Sequence, residues 1–168
     1  MFCNRKYVVT NILFSLFFVL LIAFDRISKN LAIQNLRGNE IELIPGVFSF
    51  HYLENPGAAW GMLPNAIWLF ALITIIVIGA MIYFYGKIPF ERKYILLRFT
   101  IIMLASGAIG NFIDRMIWHY VVDFLYFKYI HFPVFNVADC YVCIAAVLLM
   151  YCLLFRYKEE DFLWKKKE

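Results

Sequence analysis

Four long apolar runs alternate with shorter polar stretches along the chain. Val8 to Phe24 and Ala66 to Tyr85 hold no charged residue, Ile95 to Ile113 holds only Arg98, and Val137 to Phe155 holds only Asp139. Because roughly 20 apolar residues cross a bilayer as a helix, the pattern predicts transmembrane helices over about 8–29, 66–85, 95–115 and 137–155. The intervening segments 30–65 and 116–135 follow another rhythm. Ile41 to Ile44, the turn residues Pro45-Gly46 and then Val47 to Glu54 read as strand, turn and strand. Tyr120 to Tyr129 is rich in β-branched and aromatic residues and reads as a third strand. The predicted fold class is an all-α integral membrane bundle of four helices, one domain over 1–168, with a small β-sheet formed by the two loops.

Composition narrows this picture. Of 168 residues, 64% are hydrophobic and 17% charged, too apolar a balance for a soluble domain of this size. The net charge of +4 is concentrated at Arg5-Lys6, Lys87 to Lys93 and Arg156 to Lys167. These clusters flank apolar runs, so they read as orientation signals rather than as a nucleic-acid surface. They predict cytoplasmic N- and C-termini and a cytoplasmic 86–94 loop, with segments 30–65 and 116–135 and their sheet outside. The first run lacks a small-residue cleavage site and meets Asp25-Arg26, so it reads as an uncleaved anchor. Of the four cysteines, Cys3, Cys140, Cys143 and Cys152, none lies in an outer loop, and no disulfide framework is expected.

This topology gathers the polar chemistry at one membrane face: Asp25, Arg26 and Lys29 at the end of the first helix, Asn111, Asp114 and Arg115 at the end of the third, Asn136 and Asp139 at the start of the fourth. Ionisable groups at such depth are costly and mark functional sites by default. Asp139 reads equally well as the N3 acid of a capping box begun by Asn136 and as a catalytic acid. Asp123, in Val121-Val122-Asp123-Phe124-Leu125, alone reads as an edge-strand charge. A second carboxylate at the same depth shifts that balance. Two close carboxylates share a proton, and such a pair can activate water against an amide with no metal. Asn111 and Arg115, four apart, share a helix face. Asp25 and Lys29 stand in the acid-first i, i+4 arrangement of a structural ion pair, and Asp114 reads as a further structural charge. Ser106 and Gly110 form a small-xxx-small pattern suited to close helix approach.

Together the motifs Asp25-x-x-x-Lys29, Asn55-Pro56-Gly57-Ala58-Ala59-Trp60-Gly61, Gly110-Asn111-x-x-Asp114-Arg115, Val122-Asp123-Phe124 and Phe135-Asn136-x-Ala138-Asp139 occur in an order that resembles the bacterial lipoprotein signal peptidase (signal peptidase II) family over nearly the whole chain. The resemblance implies an inner-membrane, multi-pass aspartyl endopeptidase with its active site facing outward. It would cut diacylglyceryl-modified prolipoproteins just before the lipidated cysteine. Asp123 and Asp139 correspond to the catalytic pair; Asn55, Gly57, Asn111, Arg115 and Asn136 correspond to residues that bind substrate or support the site. The resemblance further implies no cofactor and no metal, membrane lipid as surroundings, a monomer, and inhibition by globomycin-type cyclic peptides. Cys140 stands where the family more often has Ser, and Ser106-Gly107-Ala108 replaces a commoner double glycine.

Three other readings compete. Cys140-x-x-Cys143 would suit a four-helix thiol oxidoreductase, although both thiols fall inside the fourth helix. Buried acids suit a proton-coupled transporter, although these cluster at one face. A metallopeptidase lacks H-E-x-x-H among His51, His119 and His131.

Overall fold

The computed structural model describes residues 5–57, 63 and 66–162, with the side chains of 5–7 excepted. Cys3, the side chains of Arg5 and Lys6, Ala58-Ala59-Trp60-Gly61 of the second motif and the basic tail after Phe162 lie outside the described residues. Four long helices carry the fold: α1 (Arg5–Leu36), α2 (Ile67–Lys87), α3 (Ile95–Trp118) and α4 (Val137–Tyr151), the last continued by a wider helical turn to Arg156. All four are long and apolar enough to cross a membrane. Strands β1 (Glu40–Ile44), β2 (Phe48–Asn55) and β3 (Val121–Phe127) form one antiparallel sheet in the order β1-β2-β3. The three strand expectations match these elements closely, and helices two to four agree to within a few residues.

The first helix differs: it continues seven residues beyond Lys29, to Leu36. Asp25, Lys29, Ala32 and Leu36 are all buried, a stripe at helical spacing. Ala32 and Leu36 pack on Val122 and Phe124 of β3, so the extension is an amphipathic arm that carries the sheet. Gly38, at φ 77°, ends it in the left-handed conformation that glycine adopts without penalty.

Helix α3 is the central element, in contact with all three other helices. Its glycines determine how near α4 can come. A Cβ at Gly107 would stand 2.5 Å from the Ala138 carbonyl oxygen, and one at Gly110 would stand 2.6 Å from Asp25 Oδ2. The close-approach pair is therefore Gly107 and Gly110. Ser106 is buried and hydrogen-bonds the Ile102 carbonyl of its own helix instead. Helix α2 packs on α3 but fully buries only Ala71 of its own residues; Trp68, Leu69, Leu72, Ile73, Ile75, Ile76 and Ile82 are exposed, as lipid-facing residues are. At the end of the bundle away from the sheet, Ile88, Tyr94, Leu97, Cys152 and Tyr157 form an apolar cluster. Arg98 reaches that end but stays buried, donating to the Ile88 carbonyl at 2.5 Å and stacking over Tyr85 and Phe90. The loop after α2 thus covers the guanidinium.

Candidate active site

Asp123 comes from β3. Alternation along the strand turns Val122 and Phe124 toward α1, so Asp123 faces the opposite side, toward α3 and α4. The chain then leaves β3 and returns beside it. Phe135 accepts the Phe124 and Leu125 backbone N–H groups at 2.9 and 2.8 Å and donates to the Leu125 carbonyl at 3.0 Å. This clamp sets Asn136, the first residue before α4, next to Asp123.

Asn136 caps α4 by a reciprocal capping box. Its Oδ1 accepts the Asp139 backbone N–H at 3.0 Å, and Asp139 Oδ2 accepts the Asn136 backbone N–H at 3.0 Å. The Asn136 amide donates to Asp123 Oδ1 at 2.6 Å and to Asn111 Oδ1 at 3.1 Å. The cap thus touches both acids. Asp139 Oδ1 accepts from Asn111 Nδ2 at 2.7 Å, and Asp123 Oδ2 accepts from Asn55 Nδ2 at 2.9 Å. Asn55 in turn accepts the Gly57 N–H at 3.0 Å, and Arg115 donates to the Gly57 carbonyl at 3.1 Å while its guanidinium lies over the Phe70 ring. Asn55, Gly57, Asn111, Arg115 and Asn136 therefore surround Asp123 and Asp139 in one connected network.

Asp123 is 2% exposed. Burial, reinforced by the negative charge of Asp139, pushes its carboxyl up to about 7 from an ordinary value of 3.8. Its hydrogen bonds from Asn55 and Asn136 oppose that rise but do not cancel it. A carboxyl that keeps its proton close to neutrality, beside a second carboxylate, is the arrangement that acid–base hydrolysis requires.

The site opens into a cavity of 560 Å³. Its polar end is formed by Asn55, Asn111, Arg115 and the two aspartates. Its apolar wall is formed by Phe132 to Phe135 and by Val142 and Ile144 of α4. Cys140 and Cys143 also line it, both as free thiols within α4. The 132–135 stretch and the α4 wall escaped the motif reading, because their signal was only apolar character.

A second layer stands behind the acids. Lys29 Nζ lies 3.1 Å from Asp25 and 2.8 Å from Asp114, and donates to Asn111 Oδ1 at 2.8 Å. Arg26 pairs with Asp114. Lys29, Asp25 and Asp114 are fully buried. The i, i+4 spacing predicts Asp25–Lys29 as a structural ion pair; the structure joins that pair to Asp114 and, through Asn111, to the two aspartates. The acid-first spacing signals the pair, and nothing local signals the link.

Comparison with known proteins points the same way. The family model for signal peptidase (SPase) II matches residues 17–155. Lipoprotein signal peptidases of Streptococcus pyogenes serotype M1 and of serotype M5 (strain Manfredo) are each 39% identical over 151 residues, covering 89% of this chain and 96% of theirs. A bacterial membrane enzyme solved by the in meso method at 2.3 Å superposes with a TM-score of 0.74 at 32% identity, covering 96% of this chain and 94% of that one. A second such structure, at 1.9 Å, superposes with a TM-score of 0.73 at 33% identity, over 89% of this chain and 96% of that one.

Proposed function

The chain belongs to the signal peptidase II family, and from that premise we propose that it is an aspartic endopeptidase in which Asp123 and Asp139 activate water to remove signal peptides from diacylglyceryl-modified prolipoproteins. Four membrane-competent helices and the family together make it a membrane protein with protease activity. The observation that carries the finer reading is the meeting of two carboxylates from different elements, bridged by Asn136, at the polar end of an otherwise apolar cavity.

In this mechanism Asp123, whose buried carboxyl is pushed up to about 7, enters as the proton donor, and Asp139 takes the proton from water. Water between them gives a proton to Asp139 and attacks the scissile carbonyl, while Asp123 donates its proton toward that carbonyl oxygen. The resulting tetrahedral centre collapses as a proton passes to the departing amide nitrogen. Arg115, whose guanidinium already binds the Gly57 carbonyl, offers a donor for the substrate backbone. The apolar α4 wall suits acyl chains and the signal peptide's own apolar helix. The basic clusters support cytoplasmic termini and an outward-facing site in the inner membrane. Globomycin-type cyclic peptides are expected inhibitors and a monomer the expected unit.

The test is processing in a cell that depends on this protein. D123N and D139N should each cause full-length, lipid-modified prolipoprotein to accumulate, while C140S/C143S should process normally. Normal processing by either aspartate variant would overturn the dyad; loss confined to the double cysteine variant would favour thiol redox chemistry instead.

A further inference from the structure

Behind the two aspartates, the buried charges are arranged in matching pairs. Asp25 Oδ1 accepts the backbone N–H of Ala138, the residue immediately before Asp139, at 3.0 Å. Asp114 Oδ2 accepts the backbone N–H of Val122, the residue immediately before Asp123, at 3.2 Å. Neither bond belongs to a helix or sheet ladder. Each ties a buried carboxylate of α1 or α3 to the peptide that carries a dyad acid on another element.

Lys29 joins the two grips. An ammonium has three N–H donors and no acceptor, and here its three partners are Asp25, Asp114 and Asn111 Oδ1, at 3.1, 2.8 and 2.8 Å. The contact with Asn111 has a directional consequence. Because the Asn111 oxygen faces Lys29 and the Asn136 amide, its nitrogen must face Asp139, to which it donates at 2.7 Å. With the amide turned the other way, an oxygen would face the Asp139 carboxylate and an NH₂ would face an ammonium.

We propose that Lys29, with Asp25 and Asp114, is a positioning unit for the reaction: the two carboxylates grip the peptides preceding Asp139 and Asp123, and the ammonium fixes their separation and the orientation of the Asn111 amide. The unit is fully buried and does not line the cavity. It rests on the dyad reading above, and it extends that reading from the acids to the frame that aligns them. Misplacement of a reacting group by about 1 Å costs on the order of 100-fold in rate, which sets the scale of the effect.

The experiment measures cleavage of a diacylglyceryl-cysteine lipopeptide by the purified full-length chain in detergent micelles. K29M keeps the length of the side chain and removes the charge and donors. It should lower kcat by about 100-fold with KM changed by less than about threefold, because the substrate cavity is not lined by Lys29. It should also move the alkaline limb of the kcat/KM profile upward. Asp123 is faced by the negative charge of Asp139 from α4, and by the positive charges of Lys29 from α1 and Arg115 from α3; loss of Lys29 makes its proton harder to remove. A purely structural lysine would lower the melting temperature and the yield, and would leave the limb in place.

Asp114 supplies an independent arm, read even where K29M fails to fold. D114N retains an oxygen for the Val122 N–H and for Lys29, whereas D114L removes it. D114N within about tenfold of wild type, with D114L at least about 100-fold slower, supports the grip. Equal losses in both, or a folded K29M with kcat within threefold of wild type and an unmoved limb, overturn it. D123N runs alongside: an active D123N refutes the dyad and the frame with it, whereas an inactive D123N beside a fully active K29M refutes the frame alone.

Discussion

The two ends of the helical bundle solve the same problem differently. At the end away from the sheet, Ile88, Tyr94, Leu97, Cys152 and Tyr157 close the interior with apolar and aromatic surface, and Tyr94 stacks on Tyr157 at 5.6 Å. Charge there stays at the rim, as in the exposed Lys93 paired with Asp161, or finds a partner close by in sequence, as Arg98 does in the Ile88 carbonyl. At the sheet end, Asp25, Lys29, Asp114, Asp123 and Asn136 are all at most 2% exposed and are drawn from α1, α3, β3 and the start of α4. A buried charge network is seldom the cheapest route to stability, because desolvation offsets much of the Coulombic gain. The sheet end thus fixes its acids in a buried polar network, and the opposite end closes the bundle with apolar surface.

The largest effects should come from breaking the sheet end at the acids. D123N or D139N should lower kcat on a lipopeptide by on the order of 10²–10⁴-fold, the usual worth of a positioned acid or base, and steady-state kinetics on the purified variants check this. Next is the seam that lets α4 approach α3. G107L or G110L would drive a side chain into the Ala138 carbonyl or into Asp25. Such overpacking costs about 1–3 kcal/mol or more, seen as a lowered melting temperature together with lost activity, since the same seam carries Asp139.

A smaller effect is titration of the buried carboxyl. The folded chain keeps the Asp123 proton to about pH 7, while the unfolded chain releases it near 3.8. The folded state thus binds the extra proton between these values, and stability contributed by this group falls as pH rises from about 4 to about 7. Melting temperatures of wild type minus those of D123N should decline across that window and level off above it. Catalysis should show the same titration as an alkaline limb near pH 7 in kcat/KM, absent only if Asp123 is not the proton carrier. The smallest effect belongs to the opposite end. Asp161 is bound by an exposed partner, Lys93, and D161N should leave kcat/KM within about twofold because exposed ion pairs are worth little. A larger change would remove the distinction between the two ends.

Much of this was legible in advance. The four apolar runs and the turn at Pro45-Gly46 located the helices and the hairpin, because the bilayer length and strand alternation write themselves into local pattern. The Asn136–Asp139 capping box was legible for the same reason. The arm from Asn30 to Leu36 falls within a predicted loop, since its polar residues hide a narrow buried stripe at Ala32 and Leu36 that has meaning only once β3 supplies a surface. The role of Gly107 was likewise hidden behind the Ser106–Gly110 spacing, because a glycine's value depends on which atom of the neighbouring helix arrives there.

By itself, then, the amino-acid sequence determined the helices, the strands and the Asn136–Asp139 cap, all of which depend on residues a few positions apart. Tertiary structure alone decided that Lys29, 82 residues from Asn111 in the chain, orients its amide, and that Asp25, 113 residues from Ala138, holds the peptide before Asp139. Hydrogen bonds are directional and short-ranged, so such partnerships leave no periodic trace in the sequence and come into being only when packing brings the elements together.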